Sequence, residues 1–384
     1  MKIRKIETLI ASTAWQYYRL NYVFVKVYTD EGLEGLGQAY SAGPELATAK
    51  VVEDFESWLV GRDPFQIEFL WQLMYQGSRF PPGVVVAGAI SGIEQALWDI
   101  KGKALGVPIY ELLGGKCRDR VRVYQGVYDE TPEEMADSTE ALIKRYGYTA
   151  IKISPQPLTY GSMSESQILS ASEARMRAAR EAGGPDLDIG VDSHARIFEP
   201  IRALEMMEVL RPYRPFFLEE PLRPENMDAL ALLRAKARVP IASGEILYTK
   251  YQFRNLMARE AVDIIQPDVC ATGGLMEMKK IAALAEASYV SVAPHNPMGP
   301  VAAAVNVHFA ASTPNFLVLE YKADDQPPLR EIVKEPLILK DGYLELPTAP
   351  GLGVELNEEW VRAHPYRPWH RPFPFRPDGS MGLI

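Results

Sequence analysis

The sequence of 384 residues has little cysteine, no long apolar segment and no excess of positive charge. Two cysteines, Cys117 and Cys270, are too few for a disulfide framework, and we expect Cys270 to be a reduced packing residue. No stretch approaches the roughly 20 apolar residues of a membrane-spanning helix. Near the start, Glu7 interrupts a short apolar run, so no signal peptide is evident. We therefore expect a cytoplasmic protein that crosses no membrane.

Acidic residues outnumber basic ones by 50 to 41, which gives a net charge of -9. Nucleic acids and anionic membrane surfaces both require a cationic face, so neither is an expected partner. A small anionic substrate remains compatible with this charge, because a bound metal ion attracts it locally. The length exceeds that of one ordinary compact domain and favours two domains, or a barrel with an added unit.

Two different patterns of apolar residues divide the chain. Residues 1–10 and 21–40 alternate apolar and polar positions, and residues 44–113 follow with helical spacing, which predicts an α+β unit. From Val121, short apolar strands alternate with amphipathic helices; the strands are VRVYQGVY, TAIKIS, LDIGVDS, PFFLEE, PIASGE, DIIQPD, VSVAPH and FLVLEY. Eight such units predict a (β/α)8 barrel. The tail from about Lys340 is rich in proline and aromatic residues, is not helical by pattern, and is expected to pack onto the rest.

Polar residues stand at the ends of six consecutive candidate strands. In chain order they are Asp192, Glu219, Glu245, Asp268, His295 and Glu320. Neighbours in this series are 23 to 27 residues apart, and one βα unit of a barrel occupies about 30 residues. Each side chain is therefore expected at the carboxyl end of its own strand, where barrel enzymes carry their active sites.

Three of these residues, Asp192, Glu219 and Glu245, are carboxylates on adjacent strands and would repel one another without a cation. Oxygen ligands select a hard ion such as Mg²⁺ or Mn²⁺ over Zn²⁺. The alternative is that some of them cap helices or pair with arginines.

The histidines fall into two groups. His295 and Asp268 end neighbouring strands, so the carboxylate could orient the imidazole and raise its basicity. His194 follows Asp192 by two residues, so both side chains are expected to face the barrel mouth. His308 lies in an apolar helical segment and is interpreted as structural.

Six motifs together cover most of the chain: residues 96–115, 191–196 (VDSHAR), 213–221 (YRPFFLEEP), 264–274, 293–300 (APHNPMGP) and 350–355. On these motifs the sequence resembles the enolase superfamily, in its mandelate racemase branch and among its galactonate dehydratase-like members. The resemblance implies an α/β fold: a modified (β/α)8, TIM-like barrel with an N-terminal α+β capping domain that the C-terminal tail completes. The expected boundaries are 1–117 for the capping domain, 118–340 for a (β/α)7β-type catalytic barrel, and 341–384 for the segment that packs back.

The resemblance also implies roles for the strand-end residues. Asp192, Glu219 and Glu245 would bind Mg²⁺, with Mn²⁺ as a substitute, and the adjacent Glu220 would be a neighbour rather than a ligand. Four further residues would take part in the reaction. His295, with Asp268, would remove the proton α to a carboxylate. His194 would protonate the departing hydroxyl, and Glu320 would hydrogen-bond the substrate or its enediolate.

The second strand departs from part of the family. Racemases and muconate-forming members carry Lys-x-Lys there, whereas this chain has Lys152-Ile153-Ser154. Serine cannot serve as the base on that face, so loss of water is favoured over racemisation. Lys152 is interpreted either as a ligand of the substrate carboxylate or as a structural cation.

Aromatic residues of the predicted lid, Trp15, Tyr17 and Tyr160, either recognise substrate hydroxyls or pack the lid. The expected function is Mg²⁺-dependent dehydration of a sugar acid, an aldonate such as galactonate or gluconate, to a 2-keto-3-deoxy acid. The alternatives are an epimerase or racemase, a lactone cycloisomerase, a barrel glycosidase and a catalytically silent metal-binding barrel. The resemblance further implies a homo-oligomer, a dimer or an octamer.

Overall fold

The computed structural model describes residues 1–15, 18–41, 43–368 and 375–382. It begins with an antiparallel sheet in the order β1-β2-β3, followed by four helices. The strands are β1 (Ile3–Trp15), β2 (Tyr18–Thr29) and β3 (Glu34–Ala39), and the helices are α1 (Glu45–Leu59), α2 (Ile67–Gly77), α3 (Val84–Leu105) and α4 (Ile109–Leu112).

Helix α3 packs directly on β3, and two glycines make this close approach possible. A Cβ atom at Gly35 would stand 2.0 Å from the Ala96 carbonyl oxygen, and one at Gly37 would stand 2.0 Å from that of Gly92. Buried polar side chains of the helix accept hydrogen bonds from the strand; for example, the Asp99 carboxylate accepts from the Leu36 amide at 2.9 Å. The predicted α+β unit is therefore held together by direct contact between helix backbone and strand.

The second unit is a barrel of parallel strands. Its strands are β4 (Arg120–Val127), β5 (Ala150–Ile153), β6 (Asp188–Asp192), β7 (Phe217–Glu219), β8 (Ile241–Ser243), β9 (Ile264–Ile265), β10 (Ser291–Val292) and β11 (Leu319–Glu320). The helices between them are α5 (Pro132–Tyr146), α6 (Glu165–Gly183), α7 (Pro200–Leu210), α8 (Met227–Lys236), α9 (Thr249–Ala258), α10 (Leu275–Ala287) and α11 (Pro300–Ala311). Strand β11 pairs in parallel with β4 and so returns the sheet to its start. The predicted fold class, an α/β barrel with an N-terminal α+β capping unit, is confirmed.

The end of the chain returns to both units. Strands β12 (Leu339–Lys340) and β13 (Tyr343–Glu345) form a hairpin that pairs antiparallel with β4, and helix α12 (Glu358–Ala363) packs on β1. The expectation of a tail without helix is wrong at α12. The Asn357 side chain caps this helix by accepting from the Trp360 amide at 3.2 Å, and two glutamates occupy the first turn, where they favour a helix. Among the described residues, no helix combines the length and apolar character needed to cross a bilayer.

His308 joins α11, α4 and the C-terminal segment, as a structural residue does. Its Nε2 donates to the Leu352 carbonyl oxygen at 3.0 Å, and its Nδ1 accepts from the Tyr110 amide at 3.3 Å. Burial lowers the pKa of His308 from 6.5 to about 4. The imidazole is therefore neutral in the folded protein, and a proton on Nδ1 would face an N–H group.

The folded protein is expected to lose stability as the pH falls from 6.5 towards 4, because the unfolded chain then binds a proton that folded His308 resists. A shift of this size corresponds to about 3 kcal/mol. Urea unfolding of the wild type and of His308→Gln at several pH values isolates this group. The stability difference between the two proteins should shrink by about 2–3 kcal/mol between pH 7.5 and 4.5; a constant difference would contradict the assignment.

Candidate active site

The strand-end residues predicted from the sequence converge at one end of the barrel. Asp192 and Glu219 end β6 and β7 and are paired in register. Asp268 and His295 are joined by a parallel bridge just beyond β9 and β10. A cavity of about 1530 Å³ opens at this end of the barrel, and its lining includes His194, Glu245, His295 and Glu320. Asp192 and Glu219 are themselves fully buried.

Lys152, on β5, lies at the centre of the carboxylates. Its Nζ atom is 2.7 Å from Glu219 Oε1, 3.2 Å from Asp192 Oδ2 and 3.2 Å from Glu320 Oε1. The side chain is only 2% exposed. Burial disfavours its charge, but Glu219 and Glu320 raise its pKa well above the usual value, so the ammonium group stays protonated. In this arrangement Lys152 is an ion-pair partner of the carboxylates predicted to bind the metal and the substrate.

Glu219 has a second partner that the sequence analysis missed. Gln266 donates from Nε2 to Glu219 Oε2 at 2.6 Å. Burial, together with the negative charge of Asp192, raises the pKa of Glu219 well above its usual range. The sequence held one indication of this contact. Gln266 lies two residues before Asp268, beyond the same strand, and alternate side chains of an extended segment share a face.

Glu220 is held by different groups. Its Oε1 atom accepts from Ser243 Oγ at 2.9 Å and from the Gly244 amide at 2.8 Å. Burial and the nearby Glu245 raise its pKa to about 8. The two adjacent glutamates therefore have separate surroundings, although both are buried.

His295 and Asp268 form a hydrogen-bonded pair. His295 Nδ1 lies 2.9 Å from Asp268 Oδ2, and Asp268 Oδ1 accepts from the amide of Cys270, which is buried as predicted. A carboxylate at Nδ1 favours a proton there, which leaves Nε2 for the cavity, 3.6 Å from Glu245 Oε2. Burial alone would lower the pKa of His295, but Glu245 and Asp268 raise it to about 10.

His194 stands on the other side of the mouth. Its backbone amide donates to Asp192 Oδ1 at 2.8 Å, and its Nδ1 lies 3.1 Å from Asp192 Oδ2. The ring is 37% exposed. Strands β6 and β10 are the third and seventh of eight, so His194 and His295 follow strands on opposite sides of the barrel. A molecule bound in the cavity between them would contact both imidazoles.

The remaining predicted site residues are placed as follows. Glu320 accepts from the Asn296 amide at 3.0 Å, which fixes its carboxylate beside Lys152. Tyr160 is half-buried and lines the cavity. Tyr17 and the side chain of Trp15 lie outside the described residues.

The donor set fits a hard divalent cation by its charge. Five carboxyl groups other than that of Asp268 lie close enough to interact electrostatically, and the last three of them line the cavity: Asp192, Glu219, Glu220, Glu245 and Glu320. Lys152 forms ion pairs with three of them: Asp192, Glu219 and Glu320. Among the described residues, no three His, Cys, Asp or Glu side chains are already arranged to hold a metal ion. Burial is the main cause of the raised pKa of Glu219, and repulsion by Asp192 and Glu245 adds to it; a cation among these oxygens would relieve that repulsion.

A capped parallel barrel with carboxylates and two imidazoles at its strand ends defines a barrel enzyme of the enolase type. The chain belongs to the mandelate racemase/muconate lactonizing enzyme family of that superfamily. The model of this family's N-terminal domain matches residues 6–114, and the enolase C-terminal domain-like model matches residues 134–360. The resemblance proposed from the motifs is confirmed.

Curated relatives match the full length of the chain. A D-galactonate dehydratase from Pectobacterium atrosepticum is 36% identical over 389 residues, and the match covers 99% of each chain. A D-galactonate dehydratase from Ralstonia nicotianae matches to the same extent.

Solved structures also match over nearly the whole chain. A member of the enolase group from Agrobacterium radiobacter, thought to be a galactarate dehydratase and bound to sodium and L-malate, has a TM-score of 0.94 and 41% identity over 100% of both chains. The 3,6-anhydro-D-galactonate cycloisomerase from Zobellia galactanivorans has a TM-score of 0.86 and 32% identity over 96% of this chain and 100% of that one.

Proposed function

We propose that the chain removes water from a sugar acid to give a 2-keto-3-deoxy acid. The predicted enzyme class, a carbon–oxygen lyase acting on sugar acids, is confirmed by the full-length dehydratase relatives. The observation that carries the proposal is the placement of two imidazoles on opposite sides of one cavity, with His295 held by Asp268. Aldonates such as galactonate and gluconate are the first substrates to test.

Each imidazole carries out one of the two proton transfers of the reaction. His295 accepts the proton α to the substrate carboxylate at Nε2, and Asp268 stabilises the resulting imidazolium through Nδ1. The carbon–oxygen bond at the β carbon then breaks, and His194 donates a proton to the departing hydroxyl, which leaves as water. The enol that remains gains a proton at its β carbon and loses the proton of its hydroxyl group, which gives the 2-keto-3-deoxy acid. Glu320, fixed by Asn296, is positioned to hydrogen-bond the substrate.

Asp192, Glu219 and Glu245 would hold a Mg²⁺ ion, with Mn²⁺ as a substitute. When bound, the ion neutralises negative charge that develops on the substrate carboxylate during proton removal. The excess of buried carboxyl groups supports this choice of ligands. By reducing the effect of Glu245, a cation would also lower the pKa of His295 towards the range in which a general base works.

Treatment with EDTA is expected to abolish dehydration, and Mg²⁺ or Mn²⁺ to restore it. The assay follows 2-keto-3-deoxy acids with a carbonyl reagent across a panel of six-carbon aldonates and aldarates. A metal-independent activity on glycosides would contradict the proposal. A product isomeric with its substrate would instead indicate an epimerase or a lactone cycloisomerase, and an inert protein would indicate a silent barrel.

We also propose that residues 1–117 cover the site as a lid, that 118–340 carry the catalytic groups, and that 341–384 complete the cap. Contacts of the C-terminal segment support this division: the Leu352 amide donates to Asp99 in α3, and the Ser12 amide donates to the His364 carbonyl oxygen. A cytoplasmic location and a dimeric or octameric assembly remain predictions, which fractionation and light scattering would test.

A further inference from the structure

Strand β4 has a glycine where its neighbour β5 has the central lysine of the site. Gly126 on β4 pairs in register with Lys152 on β5. Residues paired in this way project from the same face of a sheet, so a side chain at position 126 would point towards the barrel mouth, as that of Lys152 does. Strand β4 lies between β5 and β11, which carries Glu320. The glycine therefore leaves room for another group at the mouth between Lys152 and Glu320.

The side chain of Tyr128 occupies this room. A Cβ atom at Gly126 would stand 2.3 Å from Tyr128 Cε2 and 2.5 Å from the Tyr128 hydroxyl oxygen. Both distances are far shorter than a van der Waals contact. Glycine at position 126 is thus what allows the phenol ring to fold back over the end of β4 and to bring its hydroxyl group to the mouth.

The Tyr128 ring also packs against His194. The two ring centres are 6.2 Å apart and the ring planes are inclined at 69°, which is an edge-to-face arrangement. Both side chains line the cavity, and Tyr128 is 38% exposed. Within the described ranges no protein group forms a hydrogen bond with the Tyr128 hydroxyl. This hydroxyl is therefore available to a molecule bound beside His194.

The surroundings of Tyr128 keep its hydroxyl group protonated. Partial burial raises the pKa of Tyr128 well above its usual value, although the ammonium group of Lys152 opposes the shift. The negative charges of Glu320 and Asp192 raise the pKa further. At neutral pH the phenol is therefore uncharged and can donate a hydrogen bond.

We propose that the Tyr128 hydroxyl binds the substrate by donating a hydrogen bond to the oxygen of the departing hydroxyl group, which orients that oxygen towards His194. This inference rests on the proposed function, in which His194 protonates the same oxygen. A substrate atom that contacts His194 on this side of the cavity lies next to the phenol, because the two rings pack together. A donor directed at an oxygen that gains negative charge as its bond to carbon breaks stabilises the transition state more than the bound substrate. Tyr128 therefore assists the loss of water and not proton removal by His295.

The test compares Tyr128→Phe with the wild type, using the sugar acid that the wild type turns over fastest in the presence of Mg²⁺. Phenylalanine keeps the ring over Gly126 and beside His194 and removes only the hydroxyl group. The kcat for dehydration should fall about 3- to 10-fold, the effect expected of one hydrogen bond, with thermal stability unchanged. Exchange of the substrate's α proton in D₂O should not fall, so the ratio of exchange to product formation should rise.

Two further variants complete the design. Tyr124→Phe is the matched control, because Tyr124 lies on the same strand but is only 1% exposed and does not line the cavity. Among the described residues its hydroxyl has no hydrogen-bond partner, so the same substitution there should leave both rates unchanged. In Gly126→Ala the added methyl group displaces the Tyr128 ring. Its kcat should fall at least as far as that of Tyr128→Phe, and combining the two substitutions should add little to the loss.

A wild-type rate of dehydration in Tyr128→Phe would overturn the inference. Equal losses of dehydration and exchange would also overturn it, because the hydroxyl would then act before the carbon–oxygen bond breaks. If the wild type turns over no sugar acid, the proposed function itself fails, and calorimetric binding of galactonate with Mg²⁺ decides the contact. Tyr128→Phe should then bind galactonate about 3- to 10-fold more weakly than the wild type and Tyr124→Phe do. Equal binding by all three proteins, or no binding by the wild type, would overturn the contact as well.

Discussion

Replacing His295 by asparagine is expected to lower kcat at least about 10²-fold, the lower end for a general acid–base group. Asparagine retains a polar group that can face Asp268 but has nothing that accepts a proton at the position of Nε2. The same variant should lose exchange of the substrate's α proton with solvent deuterium. Proton NMR in D₂O measures that exchange directly and separates proton removal from the later loss of water.

The counterpart is His194→Asn, because the two histidines are proposed to act on different bonds. Without the acid, dehydration should be strongly slowed, whereas His295 can still remove and return the α proton. Exchange that persists in His194→Asn and vanishes in His295→Asn would identify base and acid separately. Wild-type exchange in His295→Asn would rule out His295 as the base.

The architecture could be predicted because the repeat of the βα units is visible in the sequence. Six consecutive strands end in a polar residue, and these residues are spaced nearly evenly along the chain. A parallel barrel brings the carboxyl ends of all its strands to one face. Asp192, Glu219, Asp268 and His295 follow this spacing, and the structure brings them to the same end of the barrel. The hydrogen bond between His295 and Asp268 follows from the adjacency of their strands.

Contacts set by barrel closure could not be predicted. Strands β5 and β11 are the two neighbours of β4 in the barrel, and Lys152 on β5 contacts Glu320 on β11 across it. No local sequence pattern shows that these two strands lie so close. The hydrogen bond between Gln266 and Glu219 depends on side-chain directions across neighbouring strands.

The C-terminal tail contains a helix that could not be recognised from its composition. Its aromatic and proline residues dominate the composition, and they obscured a six-residue helix, α12, whose capping residue Asn357 was present in the sequence. A short helix buries too few apolar residues to show a clear period, so its cap was the available signal.

Replacing Glu219 by glutamine is expected to weaken Mg²⁺ binding by at least 10- to 100-fold, since even changes in groups that merely support metal ligands have effects of that size. The substitution preserves shape and burial but removes one negative charge from the floor of the cavity. It also leaves Lys152 Nζ, now 2.7 Å from Glu219 Oε1, facing a neutral group. Calorimetric titration with Mg²⁺ measures the loss independently of turnover, and dehydration should fall in parallel.

The neighbouring Glu220→Gln is the matched control, because the two glutamates are adjacent in sequence and equally buried. The Glu220 carboxyl group accepts hydrogen bonds from Ser243 Oγ and the Gly244 amide, so we propose that it stabilises the strand ends rather than binding the ion. Glu220→Gln should therefore bind Mg²⁺ with nearly wild-type affinity. If Glu220→Gln loses the ion while Glu219→Gln keeps it, the two carboxylates have exchanged roles. If both variants bind Mg²⁺ as the wild type does, neither glutamate is a ligand and the metal must be held elsewhere in the cavity.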